Sequence, residues 1–423
     1  MPVPAQVEPS WRPSPEAVES SVITQIRPVS LLAGANRVEF SLPKFPGHCI
    51  DLAQTKLGLE YKICNEDGSN IVTTPLKYVS TINSPLDTIF SQISISVNGE
   101  QISSCSNNHI LSFFSNHLNY SAEYRRSILF TNRYYESTAG NEGNPKSKSF
   151  LALAALVKDS KKVKCVGFFP HPFFRTPKFL LPNTDVSLVL TQSKSDLFIL
   201  SSMTEKLKVV LTDVYMLIRL IKIDAPLLHS INESMHKTPY IIPFKHTVVK
   251  TYTMGAGDTS FKVYNSFHGN LPSRVFCLQV ATAAYLGSVS SSPLVFAHND
   301  LKDFVVSYNS VSIPLQKVDF DMGTDQGISL YEHVNSVLGL NTSATTPGIA
   351  YDKYSSDFFY TCENLLSDCA ISNTTLPFTP GSLSLSLEFS KALAANVTLI
   401  VIGEFAQSYV SIDKTGVVKM VEK

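Results

Sequence analysis

The chain has 423 residues, 44% hydrophobic and 17% charged: apolar material for two large cores, and too little charge for a disordered chain. Lys+Arg and Asp+Glu are equal at 35 each, so no long-range field draws the chain to nucleic acid and little self-repulsion keeps copies apart. Seven scattered cysteines without CxxC spacing, and an N-terminus (MPVPAQVEPSWRPSPEA) without a basic start or apolar run, argue against a disulfide framework and a signal peptide. They predict a reduced protein with buried thiols, made inside a cell.

Residues 1–20 carry five prolines and the single tryptophan, Trp11, and read as an arm that orders only against a neighbour. Arg12 stands there against Glu8, Glu16 and Glu19, which argues against nucleic-acid packaging. Residues 21–223 form a first β unit, with period-two strands at Val22–Ile26, Arg37–Leu42, Leu57–Ile63 and Asp87–Val97, and a turn at Glu66-Asp67-Gly68. Asn98-Gly99 is a hairpin signal because both residues tolerate positive φ. Over Asn107–Tyr120 the period switches, placing Ile110, Phe113, Phe114, His117 and Leu118 on one helical face. This helix is expected to cap the sandwich end or to make a subunit contact. Arg133–Ser149 reads as a polar surface loop tolerant of change, followed by strands at Lys162–Phe168, Asp185–Leu190 and Leu207–Ile223. The last of these contains the most apolar window, Val209–Ile223. Asp213, Arg219 and Lys222 interrupt it, and it falls short of the roughly 20 residues of a membrane helix.

Residues 224–240 are a helical linker docked on both units, with Asp224 as N-cap, Pro226 in the first turn, and Leu227, Leu228, Ile231 and Met235 on one face. A second unit, 241–412, has strands at His246–Thr253, Ser260–Asn265, Ser273–Val280, Phe304–Tyr308, Ser382–Phe389 and Asn396–Phe405, with a turn at Asn309-Ser310. A long insertion carries a short helix at Leu330–Leu338, stopped by Gly339. Residues 413–423 are left as a tail.

The two units echo each other. A constant offset lays Ile93–Ser103 on Phe304–Pro314, with Asn98 on Asn309, and a similar one lays Val186–Leu190 on Leu383–Leu387. One β unit used twice, near eight strands each, predicts an all-β chain of two tandem jelly-roll sandwiches with short helices in the inter-strand insertions.

Chemistry is hard to find in the residues. There is no GxSxG elbow, GxxxxGK[ST] loop or HExxH helix. His109 and His117 lie about 80° apart around a helix axis, a poor chelate. Asp319, Asp321 and Asp325 alternate as carboxylates, but an EF-hand's glycine and glutamate places hold Thr324 and Leu330. Lys158, Lys161, Lys162 and Lys164 form a basic cluster, read as a solvated strand edge rather than a phosphate or nucleic-acid contact. No catalytic, cofactor-binding or metal-binding residue is assigned, and no cofactor is expected.

Several stretches in order are similar to the double jelly-roll major capsid proteins of Polinton or Maverick elements and adintovirus-like viruses. They are LPSRV at Leu271–Val275, PLVFAH at Pro293–His298, PLQKVDF at Pro314–Phe320, the run Gly381–Lys414, and, in the first unit, Phe179–Leu200. The chain departs from the family where FFYTCENLLSD, Phe358–Asp368, replaces an F-D-L-T-P-D motif. That segment is expected to be a loop that packs differently or contacts neighbours differently. The resemblance implies a non-enzymatic protein of the virion. It would self-associate as trimeric, pseudo-hexameric capsomers of an icosahedral shell, meet a penton-type single jelly-roll minor capsid protein, and be assembled inside the host cell. Asn107–Ser149 and Asp319–Ser367 are then expected to build trimer contacts and the outer surface; membrane contact stays open. The residues alone also allow an intracellular two-sandwich ligand- or glycan-binding protein or hydrolase.

Overall fold

A computed structural model describes residues 18–29, 36–72, 77–182, 184–203, 205–308, 311–313, 318–320, 322, 327–342, 348–365, 380–405 and 408–421. Residues 1–17, most of the expected arm, lie outside this set, as do the Asn309-Ser310 turn and most of the Asp319–Asp325 run.

Two antiparallel sheets face each other in each half. In the first, one sheet has the order Val18–Ile26, Leu207–Ile223, His48–Asn65, Val163–Phe168, and the other Arg37–Leu42, Val186–Gln192, Phe90–Val97, Glu100–Ser106. In the second, the orders are His246–Met254, Val397–Phe405, Arg274–Ala281, Tyr360–Asn364 and Ser260–Asn270, Pro380–Phe389, Leu301–Tyr308, Val311–Ile313. With only these eight strands of each half counted in chain order, each half pairs its first, eighth, third and sixth, and its second, seventh, fourth and fifth. The segments that echo in sequence occupy matching places: the fourth and fifth strands, and the seventh.

Alternation explains the strands. Ile93, Ile95 and Val97 are buried while Ser94 and Ser96 are half-exposed, and Leu383, Leu385 and Leu387 alternate with serines in the same way. Asn98 and Gly99 turn with φ of 47° and 83°, and Val97 pairs directly with Glu100, the two-residue hairpin expected of Asn-Gly. Gly403 allows a close approach: a Cβ there would lie 2.7 Å from the Phe267 ring.

Several expectations change. Asp87 lies in a helical turn, Pro85–Thr88, rather than in the following strand, because Pro85 presets its first position. Phe358–Asp368 is not a loop in its first part: Tyr360–Asn364 pairs with Arg274–Leu278 as the sixth strand. Glu363 lies 2.9 Å from His333 and Asn364 donates to the Val337 carbonyl at 2.8 Å, and the last residues of the segment lie outside the described set. Residues 413–423 are not simply a tail, since Val418–Val421 pairs with Tyr409–Ile412, which pairs with Tyr240–Pro243. The linker forms the helix Ala225–Ser234, with no fully buried residue. Ile231 and Met235 pack beside Cys49, Ile221 and Ile223 of the first half, and His236 meets Lys414 at 3.2 Å.

One apolar cluster runs through both halves without a break, from Val38 and Phe40 to Leu399 and Val418. The six described cysteines are all buried and unbridged. Among the described residues no helix is long and apolar enough to cross a membrane.

Candidate functional site

The densest chemistry lies at the seam between the two jelly rolls. The helix Asn108–Asn119 follows the hairpin, and its Ile110, Phe113, Phe114 and His117 recur at helical spacing and are buried. Phe113, Phe114 and His117 meet Phe358 of the second jelly roll. The Phe114 ring stacks on Phe358 at 5.8 Å and meets Phe276 at 5.4 Å and Tyr360 at 5.2 Å edge-on. Phe113 lies 6.0 Å from Phe358. Each such aromatic pair adds about 0.5–1.5 kcal/mol beyond area burial. The apolar face of the helix is buried inside the chain.

Arg133–Ser149, expected as a tolerant surface loop, is also partly internal, because its polar groups have partners across the seam. Tyr134 and Ser137 are buried. The Lys353 ammonium, 7% exposed, donates to Ser137 Oγ at 2.8 Å and lies 3.9 Å from Glu136 and 4.0 Å from Glu142. Glu142 donates its backbone N–H to Asp357 Oδ2 at 3.0 Å. Burial holds the Glu142 carboxyl above the ordinary carboxylate range, although Lys353 pulls it down. Arg125, 3% exposed, donates to the carbonyls of Tyr120 at 2.6 Å and His117 at 3.3 Å and lies 3.7 Å from Glu136. These residues were missed in the sequence because their spacing along the chain carries no motif.

His109 and His117, a poor chelate by their spacing, have separate surroundings. His117 binds Phe113 O through Nδ1 at 2.9 Å and reaches Tyr134 Oη through Nε2 at 3.1 Å. Burial, then Lys353 and Arg125, hold its pKa well below the usual value. Both His109 ring nitrogens are buried without a protein partner among the described residues, and burial lowers its pKa to about 4. No group of three metal-ligating side chains occurs among the described residues.

A groove of about 800 Å³ opens along the seam, walled by Phe114, Tyr120, His171, Phe244 and Phe276. Its charges are already paired. Asp87 takes hydrogen bonds from Ser84 at 2.5 Å, Asn132 at 3.0 Å and Asn116 at 3.1 Å, and burial raises its pKa. Glu404 lies 3.8 Å from Lys245 and 3.9 Å from Arg274. The Arg175 guanidinium covers the Phe168 ring at 4.9 Å.

On the outside, Lys162 and Lys164 flank the edge strand Val163–Phe168 and share Glu60 at 2.9 and 3.5 Å, in keeping with a solvated strand edge. The opposite edge strand, Val18–Ile26, is exposed over most of its length, and Val18, Val22, Ile23 and nearby Val29 are among its exposed apolar side chains.

Two sandwiches of identical strand order, fused through one core, define the double jelly roll, the fold of viral major capsid proteins. The chain is similar in fold to a protein in the cryo-EM structure of the Sputnik virophage, with TM-score 0.65 and 10% identity over 99% of this chain and 91% of that one. It also resembles the mavirus major capsid protein, with TM-score 0.55 and 12% identity over 100% of this chain and 93% of that one. The Faustovirus major capsid protein matches with TM-score 0.55 and 8% identity, covering 94% and 91% of the two chains. In sequence, an uncharacterized Caenorhabditis elegans protein, F54H12.2, is 22% identical over 310 residues, 71% of this chain and 73% of that one. No family model matches.

Proposed function

We propose that this chain is a major capsid protein, whose work is to associate with copies of itself as trimeric, pseudo-hexameric capsomers of an icosahedral shell. The observation that carries this reading is the repeated strand order joined by a continuous core. One rigid chain then offers two similar wedges, and three copies around an axis offer six near-equivalent edges, which closed symmetry can satisfy. The exposed apolar edge strand Val18–Ile26 supports it as a surface suited to another copy. The arm before Val18, shorter than expected because Val18–Ser20 pair with the Leu207–Ile223 strand, reaches a neighbouring capsomer or a penton-type single jelly-roll protein, and the neutral charge balance fits a shell without specific nucleic-acid binding. The two jelly rolls take the expected 21–223 and 241–412, the first extended back to Val18 by its edge strand and the second forward to Val421 by the pairing of Val418–Val421, with 224–240 between them.

Sedimentation tests this: purified protein at micromolar concentration is expected near three times 46.6 kDa, with hexagonal outlines in negative stain. A stable monomer overturns it. The nematode relative favours a genome-resident element as the source of the gene. Adjacent genes for a packaging ATPase, a protease and a single jelly-roll protein are then expected.

A further inference from the structure

We infer that the seam carries an acid-sensitive clasp, in which His171 of the first jelly roll, set opposite the Phe244–His246 segment of the second, releases Phe173 from that segment on taking up a proton.

The hydrogen bonds fix the state of His171. Its Nδ1 accepts from the Phe173 backbone N–H at 3.2 Å, so Nδ1 carries a lone pair. Nε2 lies 3.0 Å from Ser103 Oγ and bears the single proton of a neutral ring. The Nδ1 bond caps the turn Pro172–Arg175 and aims Phe173 at the second jelly roll, where its ring meets Phe244 at 5.7 Å and 90°. A second proton has only Nδ1 to occupy, where it confronts the N–H that Nδ1 now accepts. The cap is lost with it.

Little nearby welcomes the charge. The strand Glu100–Ser106 offers the neutral Ser103 hydroxyl. The second jelly roll offers His246, whose ring lies 6.1 Å from Phe244, beside Lys245. The turn itself ends in Arg175. Across the groove, Glu404 is engaged by Lys245 and Arg274, and Asp87 by Ser84, Asn116 and Asn132. His171 is 4% exposed but lines the groove, so opening the turn admits water to its ring.

Burial, and then His246, push the His171 pKa down to about 3, against about 6.5 in an open chain. The contribution of the closed seam is therefore complete above about pH 6.5. It is lost as pH falls toward 3, because the open form binds the proton there. Within that window the opening constant rises up to about tenfold per pH unit.

Hydrogen exchange on the full chain at pH 7 and pH 5, corrected for intrinsic rates, tests the clasp. Peptides spanning 170–176 and 244–250 are expected to open on the order of tenfold more at pH 5, while Val186–Gln192 stays protected. His171→Asn keeps a cap acceptor but cannot titrate, and is expected to abolish the difference. A wild-type seam unchanged between the two pH values overturns the inference, as does equal loosening in His171→Asn. Should that variant fail to fold, His171→Gln, which also keeps an acceptor and cannot titrate, takes its place with the same outcomes.

Discussion

The side-chain amide of Asn98 donates to the carbonyl of Gly416 at 2.8 Å, tying the tightest turn of the first jelly roll to the C-terminal turn 318 residues away. Its oxygen accepts from the Asp185 N–H at 2.9 Å. Asn98 thus serves a local turn and a long-range tether at once. Asn98→Gly preserves the positive φ that the turn needs and removes both side-chain bonds, each worth about 0.5–1.5 kcal/mol. Amide exchange is expected to rise more in 409–421 than in the hairpin 90–106. A uniform rise would mean that the tether is not what the side chain supplies.

Phe114 measures how far the two jelly rolls are one folding body. Phe114→Ala removes a ring packed on four aromatics of the second half, Phe276, Phe296, Phe358 and Tyr360, and is expected to cost about 3–5 kcal/mol. Because the core is continuous, urea denaturation followed by far-UV circular dichroism should shift as one transition. Two separated transitions, with only the first moved, would contradict a shared core.

Much of the fold was legible because each half obeys period-two alternation: Arg37–Leu42 and Leu207–Ile223 are strands with the bounds read from sequence. What escaped were elements whose pattern is set by another part of the chain. Tyr360–Asn364 is buried on both faces, so it lacks alternation and looked like a loop. The Arg133–Ser149 segment looked like surface because Ser137 and Glu142 are polar, yet their partner, Lys353, lies over two hundred residues away. His171 lies in PHPFF, a string with no motif, and gains meaning only when Phe244 and His246 are set beside it.

The Lys353 ammonium lies 3.9 Å from Glu136 and 4.0 Å from Glu142 at the seam. Lys353→Met leaves those carboxylates without it and is expected to cost about 3–5 kcal/mol. Glu142→Gln should act oppositely. A carboxyl whose folded pKa is raised favours folding below its unfolded value and loses that contribution as pH rises through its folded value. The amide is therefore expected to be at least as stable as wild type at pH 7 in thermal melts. A large loss in Glu142→Gln would mean that the Glu142 charge is essential to holding Lys353.

His109 is a buried imidazole with no protein partner for either nitrogen among the described residues, an arrangement that costs about 1–3 kcal/mol. With its pKa lowered to about 4, its neutral form favours folding fully above about pH 6.5, and that contribution is lost as pH falls toward 4. His109→Leu is expected to raise the melting temperature at pH 7 and to flatten the acid limb between pH 6 and 4. A less stable variant would reveal a polar guest at the ring.

Val22 and Ile23, 55% and 63% exposed on the edge strand, test self-association apart from folding. Being already in water, they contribute little to the isolated chain, and surface substitutions of this kind usually change stability by no more than about 0.5 kcal/mol. A lysine on an exposed strand edge opposes pairing with another chain by placing a hydrated charge in the contact. Val22→Lys and Ile23→Lys are therefore expected to keep the unfolding midpoint while shifting sedimentation from the proposed trimer toward 46.6 kDa. If the trimer persists at low micromolar concentration in the double variant, this edge does not form the contact. If the midpoint falls by several degrees, the strand is already covered within its own chain.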